Sequence, residues 1–93
     1  MSESRSSYTI VKWLNAQPNT KAIKTHGAGF GEKGTPDIIC SCKGQMIVFE
    51  NKHKGEQAKK LQAHRLFQWQ QAGAVAVVAN GLQDVKNIMG IYL

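Results

Sequence analysis

Apolar residues recur along the chain with two periods, one helical and one alternating, and the switches between them mark out the elements. Tyr8, Ile10, Val11, Trp13 and Leu14 fall at helical spacing between about Ser4 and Gln17, with serines ahead of them as N-caps and Pro18 as a stop. Lys21 to Thr25 carries a thin strand pattern. Two dense apolar runs follow, Ile38-Ile39-Cys40-Ser41-Cys42 and Gln45-Met46-Ile47-Val48-Phe49, and Lys43-Gly44 between them makes a β-hairpin of the pair. Ile38, Ile47 and Phe49 share one face and Ile39, Met46 and Val48 the other, so both faces are expected to be covered. A second helix is predicted from about Glu56 to Ala72, ending at Gly73, with Ala58, Gln62, Leu66 and Trp69 on its stripe. Ala74 to Ala79 is a short buried-type strand, and its place after a helix predicts parallel pairing with an earlier strand. Gly81 to Met89 reads as a last short helix, and Ile91-Tyr92-Leu93 as a terminal strand or tail. Helix, strand, strand, strand, helix, strand is an α/β order, a small mixed β-sheet with flanking helices.

The hairpin register has a chemical consequence. With Lys43 and Gly44 as the turn, Cys42 pairs with Gln45, and counting outward places Asp37 opposite Glu50. Directly paired residues have Cβ atoms roughly 4.5–5.5 Å apart, and two carboxylates at that distance repel unless a cation lies between them. Alternation puts Lys52 on the face of Glu50 and turns Asn51 the other way. Two carboxylates beside a peptide carbonyl form a hard-oxygen site suited to Mg²⁺ or Mn²⁺. Lys52 is placed to orient a water and to stabilise a phosphate transition state. Glu50-x-Lys52 alone is a common spacing; its weight comes from Pro36-Asp37 at the paired position and the basic helix behind.

The chain has 93 residues, which makes one small domain spanning 1–93, near the lower limit for an independent core, so a dimer fits its size. No run approaches the roughly 18 consecutive apolar residues that span a bilayer. The first residues lack the apolar core of a secretory signal, so a cytosolic protein is expected. Cys40 and Cys42 are too close along one strand for an easy disulfide. The net charge of +6 favours polyanionic partners such as nucleic acid. Lys52, His53, Lys54, Lys59, Lys60, His64 and Arg65 crowd into fourteen residues, opposed only by Glu56. Lys33, Lys54, Lys59, Lys60 and Arg65 are the candidate nucleic-acid contacts, although such a run also fits a plain solvated face. The glycine-rich stretch His26 to Gly34 matches neither nucleotide motif: Glu32 stands where the dinucleotide fingerprint needs a glycine, and Thr35 where the P-loop needs a lysine. It is either a backbone contact for nucleic acid or simple connection. Glu3 lies seven and eleven positions before Ile10 and Leu14, facing inward with them or serving as a first-turn acid. Gln62 is either bonded within the helix packing or reaches over the sheet end toward the site. A zinc site from Cys40, Cys42, His26 and His53 lacks the usual ligand spacing.

Pro36-Asp37, Glu50-Asn51-Lys52 and Gln62 together resemble the PD-(D/E)xK nuclease signature. Gly34-Thr35-Pro36-Asp37, Gly44, Val48-Phe49-Glu50, Gln62 and Gly73-Ala74 are similar to its VRR-NUC branch, a likeness running from Glu3 to about Asn80. The resemblance implies a restriction-endonuclease-like αβββαβ core and a metal-dependent DNA endonuclease. It implies that Asp37, Glu50 and the Asn51 carbonyl hold Mg²⁺ or Mn²⁺, that Lys52 is catalytic, and that Gln62 and Glu3 support the site. Asn51 departs from the pattern, where an apolar residue is usual. Stand-alone relatives look like minimal Holliday-junction resolvases, which implies branched DNA such as four-way junctions, a homodimer, and the cytoplasm of a bacterial or phage-infected cell. The rival expectation is a non-catalytic nucleic-acid-binding module whose basic helix grips phosphates, because a fold does not fix a substrate.

Overall fold

The protein is described by a computed structural model that covers residues 3–25 and 31–93. The glycine-rich stretch predicted from His26 therefore lies, as far as Phe30, outside the described residues. The elements are α1 (Glu3–Asn15), β1 (Thr20–Lys24), β2 (Ile38–Cys42), β3 (Gln45–Asn51), α2 (Lys60–Gln71), β4 (Val75–Ala79) and α3 (Leu82–Met89). The four strands form one mixed sheet in the order β1-β2-β3-β4, antiparallel except for the parallel β3–β4 pair. Lys43 and Gly44 both adopt positive φ, 51° and 86°, as a two-residue hairpin turn requires, and Cys42 pairs with Gln45 as expected. The register then runs through Ile38↔Phe49, which leaves Asp37 level with Glu50 one rung on.

The two faces of the sheet are covered unequally. Ile38, Cys40, Cys42, Ile47 and Phe49 meet Ile10 and Leu14 of α1 and Val85 and Met89 of α3 in the main core. Each large side chain fully buried here contributes roughly 1.5–3 kcal/mol. On the other face Val48 and Ala76 pack under Leu66 and Trp69 of α2, with Ile39, Val78 and Ala58 beside them. The expectation that both faces of the hairpin are covered holds throughout the first face and, on the second, for Val48 but not for Met46. Met46 at the hairpin end of β3 is 37 % exposed and Ile23 of β1 39 %, because α2 packs on β4 and the Val48 end of β3 and reaches neither of them.

Two further boundaries differ from the sequence pattern. Helix α2 starts at Lys60 rather than Glu56, because the chain first turns at His53-Lys54-Gly55, where Gly55 has φ 84° and Glu56 N–H donates to the His53 carbonyl. Ala58 still packs against the α2 core, which carried the helical period too far upstream. The last three residues form a turn after α3 rather than a strand, with Tyr92 N–H donating to the Met89 carbonyl and its ring against the main core.

The approach to Asp37 is held from two sides. Thr25 donates from its N–H to the Asp37 carbonyl (2.8 Å) and from its hydroxyl to the Pro36 carbonyl (2.7 Å). On the α2 side, Arg65 Nε donates to the Lys33 carbonyl (3.0 Å) and its guanidinium pairs with Glu32 (3.1 Å). Gly34 fits between, at φ 80°, where a Cβ would lie 2.8 Å from Leu61 Cγ and 3.2 Å from the Leu61 carbonyl oxygen. Gly34→Ala therefore combines an unfavourable backbone with overpacking and is expected to cost about 2–3 kcal/mol in urea denaturation. Gly44→Ala, with open space around its Cβ, is expected to cost only about 1 kcal/mol. Equal losses would show that the loop is not seated on α2.

Candidate active site

The site grows from the end of the β2–β3 hairpin. Asp37 sits immediately before β2, Glu50 is the penultimate residue of β3, and Lys52 follows that strand, all three on the face that carries Val48. All three are buried, with Asp37 8 %, Glu50 2 % and Lys52 8 % exposed. Lys52 Nζ lies 3.8 Å from Glu50 Oε2. Asp37 Oδ2 accepts the Asn51 N–H at 2.9 Å, which fixes the orientation of its carboxylate. Burial, the Asp37 charge and a hydrogen bond to Asp37 together push the Glu50 carboxyl up to about 8. Lys52 pulls in the opposite direction and does not compensate, and Glu3 adds a small upward push. Glu50 Oε1 is buried with no hydrogen-bond partner among the described residues. A buried carboxylate with one orphaned oxygen beside a second acid is the environment a hard divalent cation satisfies, so the residues present fit Mg²⁺ or Mn²⁺.

The remaining predicted residues divide by position. Glu3, in the first turn of α1, is half-buried at the rim, where its Oε2 accepts the His53 N–H (3.2 Å) and lies 3.9 Å from His53 Nε2. Glu3, His53 and Glu56 also bring one potential ligand atom each within 4.8 Å of one another, an exposed cluster outside the carboxylate pair. Gln62 caps the start of α2, its side-chain oxygen accepting the Lys59 N–H at 2.9 Å, so its observed bond is to its own helix rather than to the carboxylates. Lys33, Lys54, Lys59 and Lys60 are exposed. Arg65 is half-buried and occupied by Glu32, the Lys33 carbonyl and Gln68. Cys40 and Cys42 are free thiols inside the main core, where burial, then Cys42, pushes Cys40 up to about 11. His26, the fourth member of the zinc candidate, lies outside the described residues.

The sequence pattern missed a group of polar residues behind the site. The Asn51 side chain, 1 % exposed, points away from Glu50, donates to Ser7 Oγ (3.2 Å) and the Glu3 carbonyl (3.5 Å), and accepts the Gly81 N–H (3.2 Å). The departure from an apolar residue at this position is thus a tie between α1, the end of β3 and the turn before α3. Asn80 donates to the Lys52 and His53 carbonyls, and Asp84 accepts the Asn80 N–H. Asn80-Gly81 is a turn dipeptide directly after a strand paired with β3, a signal in the sequence that could have pointed to this corner.

Neither a protein-family profile nor a curated protein matches the sequence. Among solved structures, a chain described as a VRR_NUC domain protein shares the fold with a TM-score of 0.80 and 20 % identity, covering 100 % of this chain and 88 % of that one. The αβββαβ order expected from the sequence is that shared fold, followed by α3. No helix among the described residues is long and apolar enough to cross a membrane.

The raised Glu50 carboxyl sets a pH dependence with a definite sign. Its folded pKa of about 8 lies above the ordinary value of 4.5, so its contribution to stability is full below about pH 4.5 and is lost as pH rises toward and through 8. In EDTA the melting temperature is expected to fall across that window, and Glu50→Gln is expected to flatten the fall. A slope unchanged by Glu50→Gln in thermal scans at stepped pH would place the titrating group elsewhere.

Proposed function

We propose that this chain is a VRR-NUC-type nuclease, a divalent-metal-dependent endonuclease that hydrolyses phosphodiester bonds in DNA, with branched DNA such as four-way junctions as its preferred substrate. The observation that supports this most directly is the buried Asp37–Glu50 pair with Lys52 on the same face and one Glu50 oxygen left without a partner. A shared fold with a VRR_NUC domain protein over the whole chain points the same way. Asp37, Glu50 and the Asn51 carbonyl are the proposed ligands. A divalent ion bound by them would supply the positive charge that activates a water and offsets charge building on the phosphate.

The chain's own residues supply the rest. Lys52, held close to Glu50 in a site with little water, donates to a non-bridging phosphate oxygen as negative charge grows there, and orients the attacking water. The Asn51 N–H holds Asp37 Oδ2 and so fixes the carboxylate that would serve as a ligand. Glu3, fixed by the His53 N–H, lines the mouth. Gln62 supports the site by closing the first turn of α2, whose start presents Lys59 and Lys60 to the phosphodiester backbone. Lys33 and Lys54 extend that basic surface, and Arg65 contributes by holding the Lys33 segment. Two copies assembled as a homodimer would place one such site on each of two strands of a junction.

The test is cleavage by the purified protein of single-stranded, duplex, flap and four-way DNA with Mn²⁺ or Mg²⁺, repeated in EDTA. Metal-dependent cutting, strongest on the four-way substrate, is expected. Glu50→Gln and Lys52→Ala are each expected to lower the rate by about 10²-fold or more while DNA affinity stays within a few-fold. DNA binding with no metal-dependent cutting would identify a binding module instead. Light scattering is expected to give twice the 10.2 kDa chain mass, and a mass of one chain across a concentration series would refute the dimer.

A further inference from the structure

We infer that Asn80 is a positioning residue for this site, its side-chain amide taking over where the β3–β4 ladder ends and fixing the peptide segment that carries Lys52 and His53. This rests on the nuclease reading above and adds to it a residue remote in sequence from both carboxylates. The last backbone bond between the two strands runs from Lys52 N–H to the Ala79 carbonyl, at 2.9 Å. Beyond it Gly81, at φ 91°, turns the chain into α3, so the strand backbone no longer faces β3. Asn80 Nδ2 there donates to two consecutive carbonyls, Lys52 at 3.2 Å and His53 at 2.9 Å.

Asn80 is itself anchored, because its N–H donates to Asp84 Oδ2 at 2.8 Å within the first turn of α3. The two residues it holds each touch the site. Lys52 reaches Glu50 through its ammonium, and His53 holds Glu3 through its N–H. One carboxamide thus governs both the reach of the lysine and the entry of α1's acid to the mouth. A side chain with two N–H donors is required, since the two acceptors are adjacent carbonyls that, among the described residues, Asn80 alone ties to the β4–α3 turn. Aspartate has the same shape, no donors when ionised, and a charge that repels both oxygens.

The test compares wild type with Asn80→Ala and Asn80→Asp, both confirmed folded by circular dichroism at the assay temperature. Two readouts are taken: amide hydrogen exchange by mass spectrometry, and steady-state cleavage of four-way DNA with Mn²⁺. Exchange is expected to accelerate over residues 52–56 and stay unchanged in β2, with Asn80→Asp the faster of the two variants. Turnover is expected to fall between about tenfold and a hundredfold while KM for DNA moves less than about twofold, the pattern of a misplaced reacting group. Faster exchange with unchanged turnover would overturn the positioning role, and unchanged exchange would overturn the clamp itself. A wild-type protein that cuts no DNA would instead refute the nuclease reading, and the positioning role with it.

Discussion

Two acids that cannot both be charged at no cost set the terms for this molecule. Asp37 and Glu50 are brought level by a hairpin register fixed at the opposite end of the ladder, and the sheet buries them together. The protein relieves the conflict by favouring the protonated form of Glu50, whose carboxyl is raised to about 8. Lys52 moderates that conflict without removing it. Folding energy from the apolar core is thus used to assemble an electrostatically unfavourable pair, the arrangement expected where a cation or a charged substrate completes the structure.

The surrounding contacts converge on holding this pair in place. Thr25 and the Gly34 turn seat the segment entering Asp37 between β1 and α2. Asn51 links α1 and the Gly81 turn to the peptide whose N–H orients Asp37, and Asn80 secures the chain just beyond. A small chain with one well-filled core and one thin one has little packing to spare for rigidity at the sheet end. Hydrogen bonds from buried or half-buried amides supply that rigidity, since satisfied polar groups of low exposure hold a single geometry. The fold shared with a VRR_NUC domain protein provides the frame on which this polar belt is built.

What was legible in the sequence is what short-range rules control. The Lys43-Gly44 turn set the register, and alternation then placed Glu50 and Lys52 together and Asn51 on the opposite face. The partners of Asn51 were not legible, because Ser7 and Gly81 come from elements 44 and 30 residues away and meet only after both helices pack. The start of α2 was misplaced because Ala58 obeys the helical period while the chain is still extended, climbing from the sheet end to the helix layer. Exposure of Met46 follows from where α2 comes to rest, and the strand's own composition carries no information on that. Gln62 lay on the expected stripe, yet its observed bond is a helix cap, a distinction that spacing alone does not make.

The most direct measurement is an anomalous difference map from crystals of the wild-type protein soaked in Mn²⁺ at neutral pH. One strong peak is predicted between the carboxylates of Asp37 and Glu50, within bonding distance of both and of the Asn51 carbonyl. A peak only at the Glu3–His53–Glu56 cluster, or no peak at all, would contradict the account.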